Sequence, residues 1–197
     1  MDNNLFNLDN ICLTRQDKEI LTNISMKINY GEQLNIFGKN GSGKTSLLRI
    51  LSGITSPTSG KVNTTESFNA CNDIFYMGHK YGLNNNLSVL ENLKFYLEFN
   101  EELELNKIID QLSHYSVVDY ANTQVKYLSH GQKKIVVLSI LIISNRKVWI
   151  LDEPYTGLDE ISTEILNNDI NAQVSAGGAV IITSHRSMNI FKNWELK

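Results

Sequence analysis

The sequence predicts an α/β fold with a mixed or parallel sheet core, an N-terminal antiparallel β subdomain and an inserted helical subdomain. Three observations predict it. Val148–Leu151 and Ala179–Thr183 are short runs without apolar–polar alternation, the mark of strands covered on both faces in a parallel sheet. Another short strand, Gln33–Phe37, leads into a glycine-rich loop and then a helix. Between Leu83 and Asn145 the apolar residues recur at helical spacing.

Taken in order, Leu5–Leu13 and Ile20–Ile28 alternate in part, as half-buried strands do. Gly31-Glu32 makes the turn into Gln33–Phe37, and Lys44–Leu51 is the helix after the loop. Gly53–Gly60, with Pro57, reads as a turn region, and a strand follows at Asp73–Met77. Leu90, Leu93, Tyr96 and Leu97 form one helical stripe; Leu105, Ile108, Ile109, Leu112 and Tyr115 form another. After Val148–Leu151, the positions Ile161, Ile165, Leu166, Ile170 and Val174 mark a helix before the last apolar strand. The expected organisation is a single domain over residues 1–197, with its core at about 1–82 and 146–197 and its helical insert at about 83–145.

Hydrophobic residues are 42% of the chain, enough for a core. Eighteen basic residues against twenty-one acidic ones leave a net charge of −3, so no nucleic-acid partner is expected. Phosphate binding has to come from a local site and not from a global field. Cys12 and Cys71 match no metal spacing and read as reduced packing residues. Residues 1–10 lack a positive start followed by an apolar block, so no secretory leader is expected. The longest near-continuous apolar run, Ile135–Ile143, is about half of a membrane span. Membrane contact is therefore expected only through partners.

Gly38, Lys39, Asn40, Gly41, Ser42, Gly43, Lys44 and Thr45 match G-x-x-x-x-G-K-[ST], the phosphate loop of P-loop NTPases, with Ser46 directly after it. The glycines let the backbone curl so that several N–H groups cradle phosphate oxygens, and the helix starting near Lys44 adds its positive end. Lys44 supplies a point charge for the β- and γ-phosphates, and Thr45 a hydroxyl for Mg²⁺. Asp152 and Glu153 close the apolar strand Val148–Leu151 at the sheet's carboxyl edge, where α/β folds bind ligands. Asp152 is placed to hold Mg²⁺ through water and Glu153 to take a proton from the attacking water.

Leu128-Ser129-His130-Gly131-Gln132 opens an apolar helix, Gly157-Leu158-Asp159 follows the acids, and Ser184-His185 follows the last strand. At these residues the chain resembles the ABC ATPase family. The resemblance implies a P-loop NTPase of ABC type that binds ATP and Mg²⁺ between two head-to-tail copies. Ser129 and Gly131 of one copy would then close on the γ-phosphate held by the other. By the same resemblance His185 contacts that phosphate as the switch histidine, and Asp159 couples the two sites. Ser129 and Asp159 are also ordinary helix caps by residue type.

Three positions depart from the family pattern. His130 stands where a small residue is usual, and His79 where a glutamine senses the γ-phosphate. Arg15 falls where an aromatic residue stacks on adenine, and a guanidinium plane can stack on a base. Tyr76–Leu83, Leu87–Tyr96 and Arg15–Glu19 resemble the ATPase subunits of cytochrome c maturation, the haem exporter ATP-binding subfamily. That resemblance implies a peripheral subunit on the cytoplasmic side of the inner membrane. There it joins transmembrane subunits of the same complex and drives haem export or release of a haem-loaded chaperone. The competing readings are the ATPase of another small-substrate ABC transporter, a soluble non-transport ABC protein, and a module that binds ATP without turnover.

Overall fold

Two sheets organise the chain. The computed structural model describes residues 3–98 and 105–197. In chain order the elements are β1 (Asn4–Arg15), β2 (Lys18–Asn29), β3 (Gln33–Phe37), α1 (Lys44–Leu51), β4 (Ser59–Thr64), α2 (Ala70–Asp73) and β5 (Ile74–Met77). They continue with α3 (Val89–Glu98), α4 (Leu105–His114), α5 (His130–Ile143), β6 (Val148–Leu151), α6 (Glu160–Ser175), β7 (Ala179–Ser184) and β8 (Lys192–Glu195). They fall into two units: Met1–Gly78 with Lys147–Pro154 and Ile170–Lys197, and His79–Arg146 with Tyr155–Asp169.

The first unit holds both sheets. β2-β1-β4 is antiparallel, and the five strands β5-β6-β7-β3-β8 pair in parallel throughout. The unbroken apolar runs of β6 and β7 are buried along their length because they occupy the interior of the parallel sheet. Leu5, Phe6, Leu34, Ile36, Leu47, Leu48, Val148 and Ile181 meet in one core between the sheets and α1. β1 and β2 join through Gln16 and Asp17, both at positive φ, which gives the twist a two-residue hairpin requires.

Two strands are absent from the sequence reading. β4 begins inside the expected turn region, and its six residues are nearly all exposed, so no apolar pattern marks it. β8, Lys-Asn-Trp-Glu, is an edge strand with one half-buried side chain. In the second unit, Ile108, Leu112 and Tyr115 are buried as the stripe on α4 predicts, whereas Ile109 is 40% exposed and lies off the packed face. Ile161, in the first turn of α6, is likewise exposed. The side chains at 97 and 105, also named in those stripes, lie outside the described residues.

The second unit takes in Tyr155–Asp169 through polar ties to its helices. Lys134 Nζ on α5 donates to the Thr156 carbonyl at 2.6 Å, and Tyr115 Oη donates to Asp169 at 2.7 Å. Lys134 is buried, so its charge is carried on hydrogen bonds rather than on water.

Candidate active site

β3 delivers the chain to the phosphate loop, and α1 leaves it. The loop turns at Gly41 (φ 79°) and Gly43 (φ 98°), the latter capping α1. A Cβ on Gly43 would lie 2.7 Å from Leu21 Cδ2 and 2.8 Å from the Ile20 carbonyl, so both backbone angle and space demand glycine there. Lys44 is only 6% exposed and donates to the carbonyls of Gly38 (2.7 Å) and Lys39 (3.0 Å). The ammonium therefore sits within the curl of the loop. Ser42 Oγ is buried with no hydrogen-bond partner, an orphan polar atom in a loop of the kind that receives an anion. Lys39, Asn40 and Gly41 are exposed, and Ser46 is half-buried in the first turn of α1.

Asp152 follows β6 and is 4% exposed. Thr45 Oγ1 donates to one carboxylate oxygen at 2.8 Å and Thr183 Oγ1, from β7, to the other at 2.6 Å. Parallel pairing of β6 with β7 brings these strand ends together. Its negative charge reaches Tyr76, whose phenol is pushed up by burial and then by Asp152. The Thr45 hydroxyl and the Asp152 carboxylate form an all-oxygen donor pair, the hard set that Mg²⁺ accepts alongside water and phosphate oxygens. The residues present fit that ion.

Glu153 adopts φ 50°, the left-handed region that non-glycine residues rarely enter. Its amide donates to Thr183 Oγ1 at 2.9 Å, which holds the backbone in that turn. Strained backbone of this kind gathers at functional sites. The turn points the carboxylate at His185, whose Nε2 lies 3.2 Å from Glu153 Oε1. The His185 side chain is 52% exposed and that of Glu153 18%, so the pair faces solvent from one side. Arg15 lies exposed at the tip of the β1–β2 hairpin.

The second unit carries the remaining predicted residues. Ser129 caps α5: its Oγ accepts from the Gln132 amide (3.2 Å), and Gln132 Oε1 accepts from the Ser129 amide (2.8 Å). Gly131 sits against the Gly157 carbonyl, 3.0 Å from where a Cβ would be. His130 meets Tyr81 edge to face, with Nδ1 3.2 Å from the phenol oxygen. Asp159 accepts from the Ser162 amide at 2.8 Å and caps α6, and the Ser162 bonds hold its carboxyl below the usual value. His79 is exposed at the start of this unit.

The structure thus assembles the loop 38–46, Asp152, Glu153 and His185 within one unit. Ser129, Gly131 and Asp159 belong to the other. Sequence reading missed Thr183, which joins Asp152 to Glu153, and Asn35, a polar residue in the apolar β3 that is fully buried. A hydroxyl or amide inside an apolar strand was the available signal in both cases.

Known proteins share this architecture. The ABC transporter family model matches residues 21–156. A cytochrome c biogenesis ATP-binding export protein from Mannheimia succiniciproducens is 35% identical over 94% of this chain and 89% of its own length. A putative ABC transporter ATP-binding protein from Pyrococcus furiosus superposes with a TM-score of 0.83 at 26% identity, covering 97% of this chain and 96% of that one. A dimeric ATP-binding cassette in a post-hydrolysis state with ADP and Pi reaches a TM-score of 0.84 at 22% identity, over 98% and 94% of the two chains. The matched stretch begins in β2 and ends just past the carboxylate pair, and on that ground this chain belongs to the ABC transporter family.

Proposed function

We propose that this chain is the ATP-hydrolysing subunit of an ABC transporter of cytochrome c biogenesis. The observation that carries the reading is the run Thr45–Asp152–Thr183–Glu153–His185, linked by polar contacts of 3.2 Å or less beside the buried Lys44. The biogenesis assignment rests on the similarity to the export proteins of that name over nearly the whole chain, which favours it over another small-substrate transporter.

The loop amides, Lys44 and the unpartnered Ser42 hydroxyl grip the phosphate tail of ATP. Thr45 and Asp152 would hold Mg²⁺, which neutralises phosphate charge when bound. Glu153 accepts the proton of the attacking water, and His185 braces that carboxylate and reaches toward the γ-phosphate. Exclusion of bulk water needs a second surface. We assign it to another copy of the chain, whose α5 N-terminus, with Ser129 and Gly131, closes on the phosphates and whose Asp159 couples the two sites. A cassette of the same fold is dimeric, which supports a second copy as that surface. Arg15 is assigned to stack on the base, and His79 to sense the γ-phosphate in place of glutamine. No helix among the described residues is long and apolar enough to cross a membrane. Transport then requires transmembrane partner subunits, with this chain peripheral on the cytoplasmic face of the inner membrane.

Glu153→Gln tests the reading. The variant should bind ATP, stop turnover and accumulate as an ATP-dependent dimer in size-exclusion chromatography, while the wild type turns ATP over. Equal turnover by both proteins would remove Glu153 from the base's role.

A further inference from the structure

Asn35 is a fully buried amide in β3, between β7 and β8 in the parallel sheet. Its Nδ2 donates to the Arg186 carbonyl (3.0 Å) and to Asn193 Oδ1 (2.8 Å), and its Oδ1 accepts from Ser184 Oγ (2.9 Å). Ser184 Oγ also lies against the Arg186 carbonyl and accepts from the Arg186 amide at 3.3 Å. Asn193, from β8, receives the Met188 amide and donates to the Met188 and Phe191 carbonyls, each at 2.9 Å. The two asparagines thus tie down both ends of the turn 184–191. The residues on either side of His185, Ser184 and Arg186, are both held directly by Asn35.

We infer that Asn35 is a positioning residue for His185, acting through the clamp on Ser184 and Arg186 to hold the imidazole against Glu153. The inference rests on the ATPase reading above for its effect on turnover, but its structural half stands apart from it. A side chain whose role was only to fill the sheet would be apolar here, like Leu34 and Ile36 beside it. Buried amides are retained without cost only when satisfied, and every partner of this one lies on the switch turn or on the strand that pins it. Half of the His185 side chain is in solvent, so packing alone does not fix it.

The test is Asn35→Leu, which suits a buried strand, with Ser184→Ala as a milder second variant that leaves the core intact. In the wild type, the imidazole proton resonances of His185, assigned by their loss in His185→Ala, should shift when Glu153 is changed to Gln. In the Asn35→Leu background that response should vanish, and in Ser184→Ala it should shrink. In ATPase assays, Asn35→Leu should lower kcat by about 10- to 100-fold with KM within about twofold, because the turn is displaced and the phosphate loop is not. Combined with His185→Ala it should add nothing further. A His185 response to Glu153→Gln that persists in Asn35→Leu overturns the inference, as does an equal kcat loss in the presence and absence of His185. If the wild type hydrolyses no ATP but the NMR response is present, lost in Asn35→Leu and reduced in Ser184→Ala, the positioning role stands and the ATPase reading falls.

Discussion

Thr183 is bonded to Asp152 at 2.6 Å through a hydroxyl that at the same time receives the Glu153 amide at 2.9 Å. One oxygen on β7 therefore sets both members of the carboxylate pair. Thr183→Val keeps the shape and removes the oxygen. It removes the bond to the Asp152 carboxylate and the one from the Glu153 amide, at a cost of about 1–3 kcal/mol. With Glu153 released from its left-handed turn, kcat should fall about 100-fold. Urea denaturation and steady-state ATPase assays read the two effects. A variant with wild-type turnover would mean that Glu153 holds its turn without Thr183.

Ser42 offers the opposite case. Its buried Oγ has no protein partner, so Ser42→Ala removes nothing from the folded chain. Thermal stability without nucleotide should be unchanged or slightly higher. ATP affinity should fall about 3- to 10-fold, the worth of one hydrogen bond of about 0.5–1.5 kcal/mol. Calorimetric titration with a non-hydrolysable ATP analogue measures it. Loss of stability with unaltered affinity would give the hydroxyl a structural role instead.

Lys134 connects α5 to the segment after the carboxylates through the Thr156 carbonyl. Lys134→Met keeps the length and drops the donor. Amide hydrogen exchange at residues 156–159 should quicken, and the ATP-dependent dimer should weaken, while ATP binding at the phosphate loop holds. Unchanged exchange there would show that the loop is fixed by other contacts.

The second unit should be sensitive to alkali. Burial pushes the Tyr81 phenol up to about 12, and Tyr115 and Tyr155 higher still, with Asp169 adding to the shift at Tyr115. A raised value in the folded state means that folding favours the neutral phenol. That stabilisation is complete below the unfolded value, about pH 10, and is lost as pH rises through the folded values. The melting temperature should therefore decline above about pH 10, with tyrosinate absorbance appearing together with loss of helical circular dichroism. Phenols of these three residues that titrate in the intact fold near pH 10 would contradict the burial argument.

Much of this was readable from residues alone, for definite reasons. α1 and β6 run over the residues the sequence reading assigned them, because a glycine-rich loop and a carboxylate pair punctuate their ends. The buried strands of the parallel sheet were legible because burial on both faces leaves an uninterrupted apolar run. β4 and β8 were not, since an exposed edge strand has no pattern to show. Nor were the roles of Thr183 and Asn35. Each depends on which strands lie side by side, and local sequence does not encode that order. The capping role of Ser129 followed from residue type and spacing, whereas the edge-to-face seat of His130 on Tyr81 needed the folded chain.

Ile20 and Leu21 crowd Gly43 so closely that the N-terminal hairpin backs the glycine-rich loop. The shape of the loop is thus not portable as a strand-loop-helix fragment. A piece excised from residue 33 onward would keep the whole consensus and lose the surface that moulds it, so a unit that keeps the loop's shape has to include β2.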